Sequence, residues 1–171
     1  MNNNHRGFSL IELLIVIVII GIVAAIAIPN LLSARRAANE GSTASALRTL
    51  YGANMSYAAS VGSGSYAGTA STVGTSSLSE LASANLIDRV LGVGDKSGYF
   101  FVGDRTAATP AQPATFYFSA NPSTSSGILM TGTKRFGVAT DGVIRWDATA
   151  ANLGTPFDAV SLATALPMNN P

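Results

Sequence analysis

Cysteine is absent from the 171 residues and histidine occurs once, as His5. Without thiols there is no disulfide, thiolate nucleophile, iron–sulfur cluster or covalently attached haem. His5 lies ahead of the apolar run; should that leader be removed, the chain has neither His nor Cys, which removes Ser-His-Asp and Cys-His catalysis and the usual zinc ligand sets. Charge is scarce as well: 11% of residues carry one, against about 25% in ordinary soluble proteins. The formal net charge is +1, with no basic tract for nucleic acid and no acidic run. Asp88, Asp95, Asp104 and Asp141 show no calcium-loop spacing. Neither a Gly-rich phosphate loop nor paired carboxylates occur on a recognisable scaffold. The expectation is therefore no enzyme, no cofactor and no metal site. A weakly charged, nearly neutral chain repels its own copies little, which permits dense self-association.

What the chain has in excess is one apolar run at its start. Phe8–Ile28 is 21 residues with a single charge, Glu12; as a helix it spans about 31 Å, close to the hydrocarbon thickness of a bilayer. A cleaved secretory signal would have a shorter run of about 7–15 residues and a clear small-residue site. A plain membrane anchor fits the length but leaves Glu12 as a charge costing roughly 2.5–3.5 kcal/mol, unless it lies near enough to the end to reach water. Arg6 precedes the run while Arg35 and Arg36 follow it, so the rule that positive charge stays inside gives no clear orientation.

The stretch RGFSLIELLIVIVIIGIVAAIAIPNLLSARRAANE resembles the N-terminus of type IV pilins and of the pseudopilins of type II secretion. The resembling pattern is Gly7 before Phe8, Glu12 four residues later, then an apolar run that contains Gly21 and ends at Pro29. Weaker similarity to head-domain segments continues through NEGSTASALRTL, LIDRVLGVGDKSGYFF and GTKRFGVATDGVIRW. The resemblance implies that residues 1–7 are a leader cut after Gly7 by prepilin peptidase, and that the new N-terminus, Phe8, is methylated. It places the N-terminus in the cytoplasm. It also gives Glu12 a partner, because cleavage creates an ammonium on Phe8, and a carboxylate in low dielectric is strongly attracted to a nearby cation. In the family that Glu also serves the amine of a neighbouring subunit during assembly. A misaligned subunit would leave both charges unpaired in a dry environment, which makes the pair a register device. Gly21 and Pro29 weaken the helix; a kink is expected there, with loss of helical order between them when subunits pack.

Beyond Pro29 the helical pattern continues to about Ser60. Thr43, Leu47, Leu50, Asn54 and Tyr57 recur at three- and four-residue steps, as do Tyr51 and Met55, so this half is expected to lay one face on a head domain. The sequon at Asn54 lies on that helix, which argues against its use. Ser60–Ser77, rich in Gly, Ser and Thr, is expected as a loop open to O-linked sugar. A short helix follows, opening with Ser77 and Glu80 at capping-box spacing and closing at Gly92. Strands are expected at Tyr99–Val102, Thr115–Ser119, Arg135–Ala139 and Val143–Trp146, with a hairpin turn at Asp141-Gly142. Thr106–Ala114 is a Pro-bearing connection, and the C-terminal stretch has no clear period. Many pilins close that region with a disulfide; this chain has no Cys, so packing around Trp146, Phe157 and Leu162 is expected to hold it.

These readings make an α+β pilin fold: residues 1–7 a leader, 8–29 a transmembrane and filament-core helix segment, and 30–171 a head domain in which the rest of the long helix packs on a small antiparallel sheet. The resemblance implies a structural subunit held in the inner membrane, then extracted by an assembly ATPase and its inner-membrane platform into a homopolymeric surface filament. A pseudopilin of type II secretion is the alternative, and a single-span membrane protein with a binding head a more distant one.

Overall fold

The computed structural model describes residues 8–168. The leader, including Gly7, lies outside the described residues. Internal contacts divide the chain after Arg35 into two compact units. Helix α1, Leu10–Ala59, runs through both, helical across Gly21 and Pro29.

In the second unit α1 contributes its expected face. Thr43, Leu47, Leu50 and Asn54 are buried, with Ala44, Ala46 and Ala53 filling between them. Tyr51 and Tyr57 are partly buried against the same core, whereas Met55 is exposed. At Asn54 the side-chain carbonyl accepts the Ala67 N–H at 2.9 Å, and no surface of the residue is accessible. The sequon is closed by packing.

The Gly/Ser-rich stretch after α1 is irregular but pinned. Gly74 and Gly103 exchange N–H···O bonds of 3.0 and 2.8 Å, Ala70 bridges to Arg105, and the Arg105 Nε donates to the Gly68 carbonyl. The expected single helix after it is two. Helix α2, Ser76–Ser83, ends where Asn85 enters the left-handed region at φ 57. There Leu86 N–H reaches the Leu81 carbonyl and Asn85 N–H that of Ala82, a Schellman closure. Helix α3, Arg89–Val93, then starts on Asp88, whose carboxylate accepts the Leu91 N–H, and stops at Gly94. Nor do Ser77 and Glu80 form a capping box. The N-cap is Thr75 without a side-chain bond, Ser77 is buried, and Glu80 accepts the Gly68 N–H at 2.8 Å instead. Tertiary contacts have claimed both residues.

Six antiparallel strands form one meander in chain order: β1 Asp95–Lys96, β2 Tyr99–Thr106, β3 Thr115–Pro122, β4 Arg135–Ala139, β5 Ile144–Asp147 and β6 Leu166–Pro167. The four expected strands are all present; β2 and β3 run longer than expected, and the two-residue edges are additional. Period-two alternation sorts the side chains. Phe116, Phe118, Ala120, Phe136, Val138 and Ile144 join Leu47 and Leu50 of α1 in the main core. Tyr117 faces the opposite side, against Phe157 and Leu162. At the β4–β5 turn Gly142 takes φ 75 while Asp141 accepts the Val143 N–H and pairs with Arg145 at 2.6 Å.

That second face answers what holds the C-terminal stretch without a disulfide. Arg135 is 6% exposed and lies across the strand pair from Asp147. Its Nε and Nη2 both reach Asp147 Oδ2, at 3.1 and 2.9 Å. Its Nη1 donates to the carbonyls of Thr155 and Pro156, and its guanidinium stacks 4.0 Å from the Phe157 ring centre. Helix α4, Ala159–Thr164, follows at once, started by a reciprocal capping box between Asp158 and Ser161. Leu162 and Phe157 close over Gly137, where a Cβ would come within 2.6 Å of Leu162 Cδ1. Two of the three residues expected to organise this region do so. The third, Trp146, packs on the main core beside α1, because β5 alternation turns it away from Phe157.

The ionisable groups set a pH window for this unit. The hydrogen bond and ion pair with Lys96 lower the Asp88 carboxyl, and those with Arg145 lower Asp141. Burial alone would raise Asp147, but hydrogen bonds from Thr149, Asn152 and Arg135 outweigh it and hold the group well below the usual carboxylate range. Burial pushes the Tyr117 hydroxyl up to about 12, helped by the charges of Asp104 and Asp158, and raises Tyr99 also. Depressed carboxylates stabilise the fold above their unfolded value near pH 4 and lose that contribution as pH falls through the folded value. Raised tyrosines do the reverse, losing theirs as pH climbs past about 10. Thermal melts followed by circular dichroism are therefore expected to plateau between about pH 5 and 9 and to fall on both sides.

Candidate functional site

The first unit is the N-terminal segment that carries Phe8, Glu12, Gly21 and Pro29. Nearly every side chain from Phe8 to Leu31 is exposed. Its most apolar stretch of 18 residues has a mean hydropathy of 3.2, and none of that stretch is buried. This is long and apolar enough to cross a membrane.

Glu12 is engaged at the helix start. Its Oε2 accepts the Ser9 N–H at 2.9 Å, and the Ser9 carbonyl accepts the Leu13 N–H at 3.3 Å. Ser9 is thus the N-cap and Glu12 the third helical position, which is one half of a capping box. The spacing Ser9-Leu10-Ile11-Glu12 carries that signal, and sequence reasoning passed over it in favour of the charge. A carboxylate also suits the partial positive charge of a helix N-terminus. Phe8 lies one residue before the cap and is 85% exposed. Any ammonium created there would stand beside the acid's existing hydrogen-bonding position.

Pro29 lacks the N–H that would bond four residues back. One residue on, the Asn30 side-chain amide donates to the Ile26 carbonyl at 3.1 Å, adding a polar contact in the turn that Pro29 leaves one bond short. Gly21 has no neighbouring atom within 4 Å of where a Cβ would sit, so nothing within the single chain requires a glycine there. Among the described residues no group of three or more His, Asp or Glu could hold a metal ion. The dispersed acids other than Asp95 are engaged locally. Asp88 caps α3, Asp104 accepts the Thr72 and Arg105 N–H groups, and Asp141 pairs with Arg145.

Sequence comparison converges on the same segment. Residues 2–28 match the family described as the Prokaryotic N-terminal methylation motif. The Type IV wide pilus major component PilA4 of Thermus thermophilus is 68% identical over 37 residues, which cover 22% of this chain and 28% of that protein. The Type IV major pilin protein PilA of Myxococcus xanthus is 46% identical over 56 residues, 33% of this chain and 26% of that protein. The aligned stretch is thus little more than a quarter of either relative's length. No solved structure gives a significant match. The N-terminal segment thus carries the methylation motif and is similar to that of type IV pilins, and here it leads into a long helix and an antiparallel sheet.

Proposed function

We propose that this chain is a filament-building structural subunit rather than an enzyme, processed after Gly7, methylated on Phe8, and held in the inner membrane by Phe8–Pro29 until it polymerises into a surface type IV pilus. Prepilin peptidase, an inner-membrane platform and an assembly ATPase are its machinery. The observation that carries the reading is an apolar helix with no side chain of its own to cover it and one acid at its first turn. Such a surface is stable only in lipid or among copies of itself. Burying it releases about 25 cal/mol per Å2 relative to water, but far less relative to lipid, so extraction requires an external energy source. Once subunits are packed, Glu12 serves the Phe8 ammonium of its own or a neighbouring chain, and Gly21–Pro29 is where the helix yields.

Electron microscopy of sheared surface fractions, with and without the gene, tests this reading. Fibres containing this chain are expected and should vanish on deletion; intact fibres after deletion would refute it. A subunit of a secretion pseudopilus would instead leave surface fibres unchanged and abolish export. Gly7→Leu is expected to block cleavage and leave full-length precursor in membranes, read by immunoblot. Deleting residues 1–35 is expected to give a soluble, folded domain with mixed helix and sheet by circular dichroism. An insoluble or unfolded product would mean that the head needs more of α1.

A further inference from the structure

Tyr117 is 7% exposed, yet among the described residues nothing hydrogen-bonds its hydroxyl. Buried phenols usually find such a partner. Burial raises the group, and the charges of Asp104 and Asp158 raise it further, so negative charge lies near the oxygen. Among the described residues the fully enclosed polar atoms without a partner belong to Asn54, Ser77 and Asn121. The Tyr117 oxygen, equally without one, is reached instead through a cavity of about 220 Å3 that this side chain lines, beneath Ala159 and Leu162 of α4.

Strand register builds the cavity floor within the second unit. Asp104 stands directly opposite Tyr117, and Thr106 opposite Thr115; Ala139 lies beyond Tyr117 on β4. Period-two alternation puts all five on the face that α4 covers. Asp104 accepts the Thr72 and Arg105 N–H groups with Oδ1 alone, which leaves Oδ2 uncommitted. At the rim both Asp141 oxygens are taken, by the Val143 N–H and by Arg145. Arg105 turns its guanidinium to the Gly68 carbonyl, and among the described residues no basic side chain lines the cavity.

These contents select a ligand. An anion meets carboxylates and no cation. A calcium ion, which takes about six to eight oxygens, finds one free carboxylate oxygen. The volume is below the roughly 300 Å3 at which drug-sized sites begin. A primary ammonium has three donors, matched by Asp104 Oδ2, the Tyr117 hydroxyl and the hydroxyl of Thr106 or Thr115. A short alkyl stem then lies against Ala139, Ala159 and Leu162. The chain's own lysines are engaged elsewhere, Lys96 by Asp88 and Lys134 over the Trp146 ring, which favours a free amine over the lysine of a second copy.

We propose that this cavity binds the ammonium end of a small free alkylamine, held by Asp104 and Tyr117. The site lies wholly within the head and stands apart from the filament reading.

Full-length protein in detergent micelles, with isotope-labelled alanine and leucine methyl groups, is titrated with putrescine and separately with butanediol, an uncharged chain of the same length. Saturable NMR shifts at the Ala159 and Leu162 methyls are expected with putrescine and none with butanediol. Asp104→Asn keeps the oxygen that accepts the Thr72 and Arg105 N–H groups but loses the charge, and is expected to weaken binding about tenfold or more. Tyr117→Phe should weaken it by a smaller factor, and Asp95→Asn, outside the cavity, should leave it unchanged. No saturable shift with millimolar putrescine overturns the proposal, and so does an equal response to butanediol, which marks a polyol site. Calcium chloride shifting the same methyls more tightly overturns it in favour of a metal ion. Equal weakening by Asp95→Asn assigns the response to diffuse surface charge and also overturns it. Shifts that appear without putrescine and grow with protein concentration overturn it in favour of a second copy. Because the diamine–diol comparison uses the parent chain, it decides the question even where a variant folds poorly.

Discussion

Replacing Arg135 with methionine is expected to lower the head's stability by about 3 kcal/mol, the loss typical of removing one partner from a buried ion pair. For a unit of this size that is roughly a 10 °C fall in Tm, measured by circular dichroism on the full chain in detergent. Methionine retains a long, flexible stem against the Phe157 ring, so the loss isolates the guanidinium. That group ties together three parts of the chain: its own strand, Asp147 on β5, and the Thr155 and Pro156 carbonyls before α4. Asp147 keeps its bonds from Thr149 and Asn152, which limits the penalty. Lysine, a single point donor without the planar fork, should recover only part of it. A Tm within a degree of the parent for Arg135→Met would show that Phe157 and Leu162 hold the C-terminal stretch alone.

The second large effect is at Glu12. Glu12→Ala is expected to be made, inserted and cleaved normally yet to form few or no filaments, because it leaves the Phe8 ammonium unpaired in an apolar core at a cost of several kcal/mol per subunit. The hydrogen bond from Ser9 to Glu12 introduces a competing role, that of a helix cap, whose loss typically costs about 1 kcal/mol. Glu12→Gln separates the two, since an amide oxygen still accepts the Ser9 N–H but carries no charge. The pairing account expects Gln to fail like Ala and Asp, shorter by one methylene, to assemble in part. Full assembly by Gln would assign Glu12 to capping alone. Sheared surface fractions by electron microscopy, beside an immunoblot of membranes, read each case.

How much the sequence disclosed follows the range of the forces involved. The apolar run, the buried positions of α1 and the turn at Asp141-Gly142 depend on local periodicity and backbone preference, and all three are present. So are the four main strands, whose alternation comes from the pleat. What stayed hidden depends on partners far along the chain. Ser77 and Glu80 have the spacing of a cap, but the fold turns Glu80 toward Gly68. Arg135 reads as one charge in a strand, and only the β4–β5 register sets it opposite Asp147. The capping box at Asp158 and Ser161 was readable, yet it sits where no hydrophobic period led the eye to a helix. At the N-terminus the Ser9-Leu10-Ile11-Glu12 spacing carried the capping signal, but the charge of Glu12 drew the reading away from it.

The central claim is that this chain becomes a subunit by acquiring a charged N-terminus next to Glu12. The most direct measurement is the intact mass and N-terminal sequence of the protein purified from its native membrane or surface fraction. The account predicts a chain that begins at Phe8, lacks residues 1–7 and carries one methyl group on its amine. A native chain that begins at Met1 would contradict it.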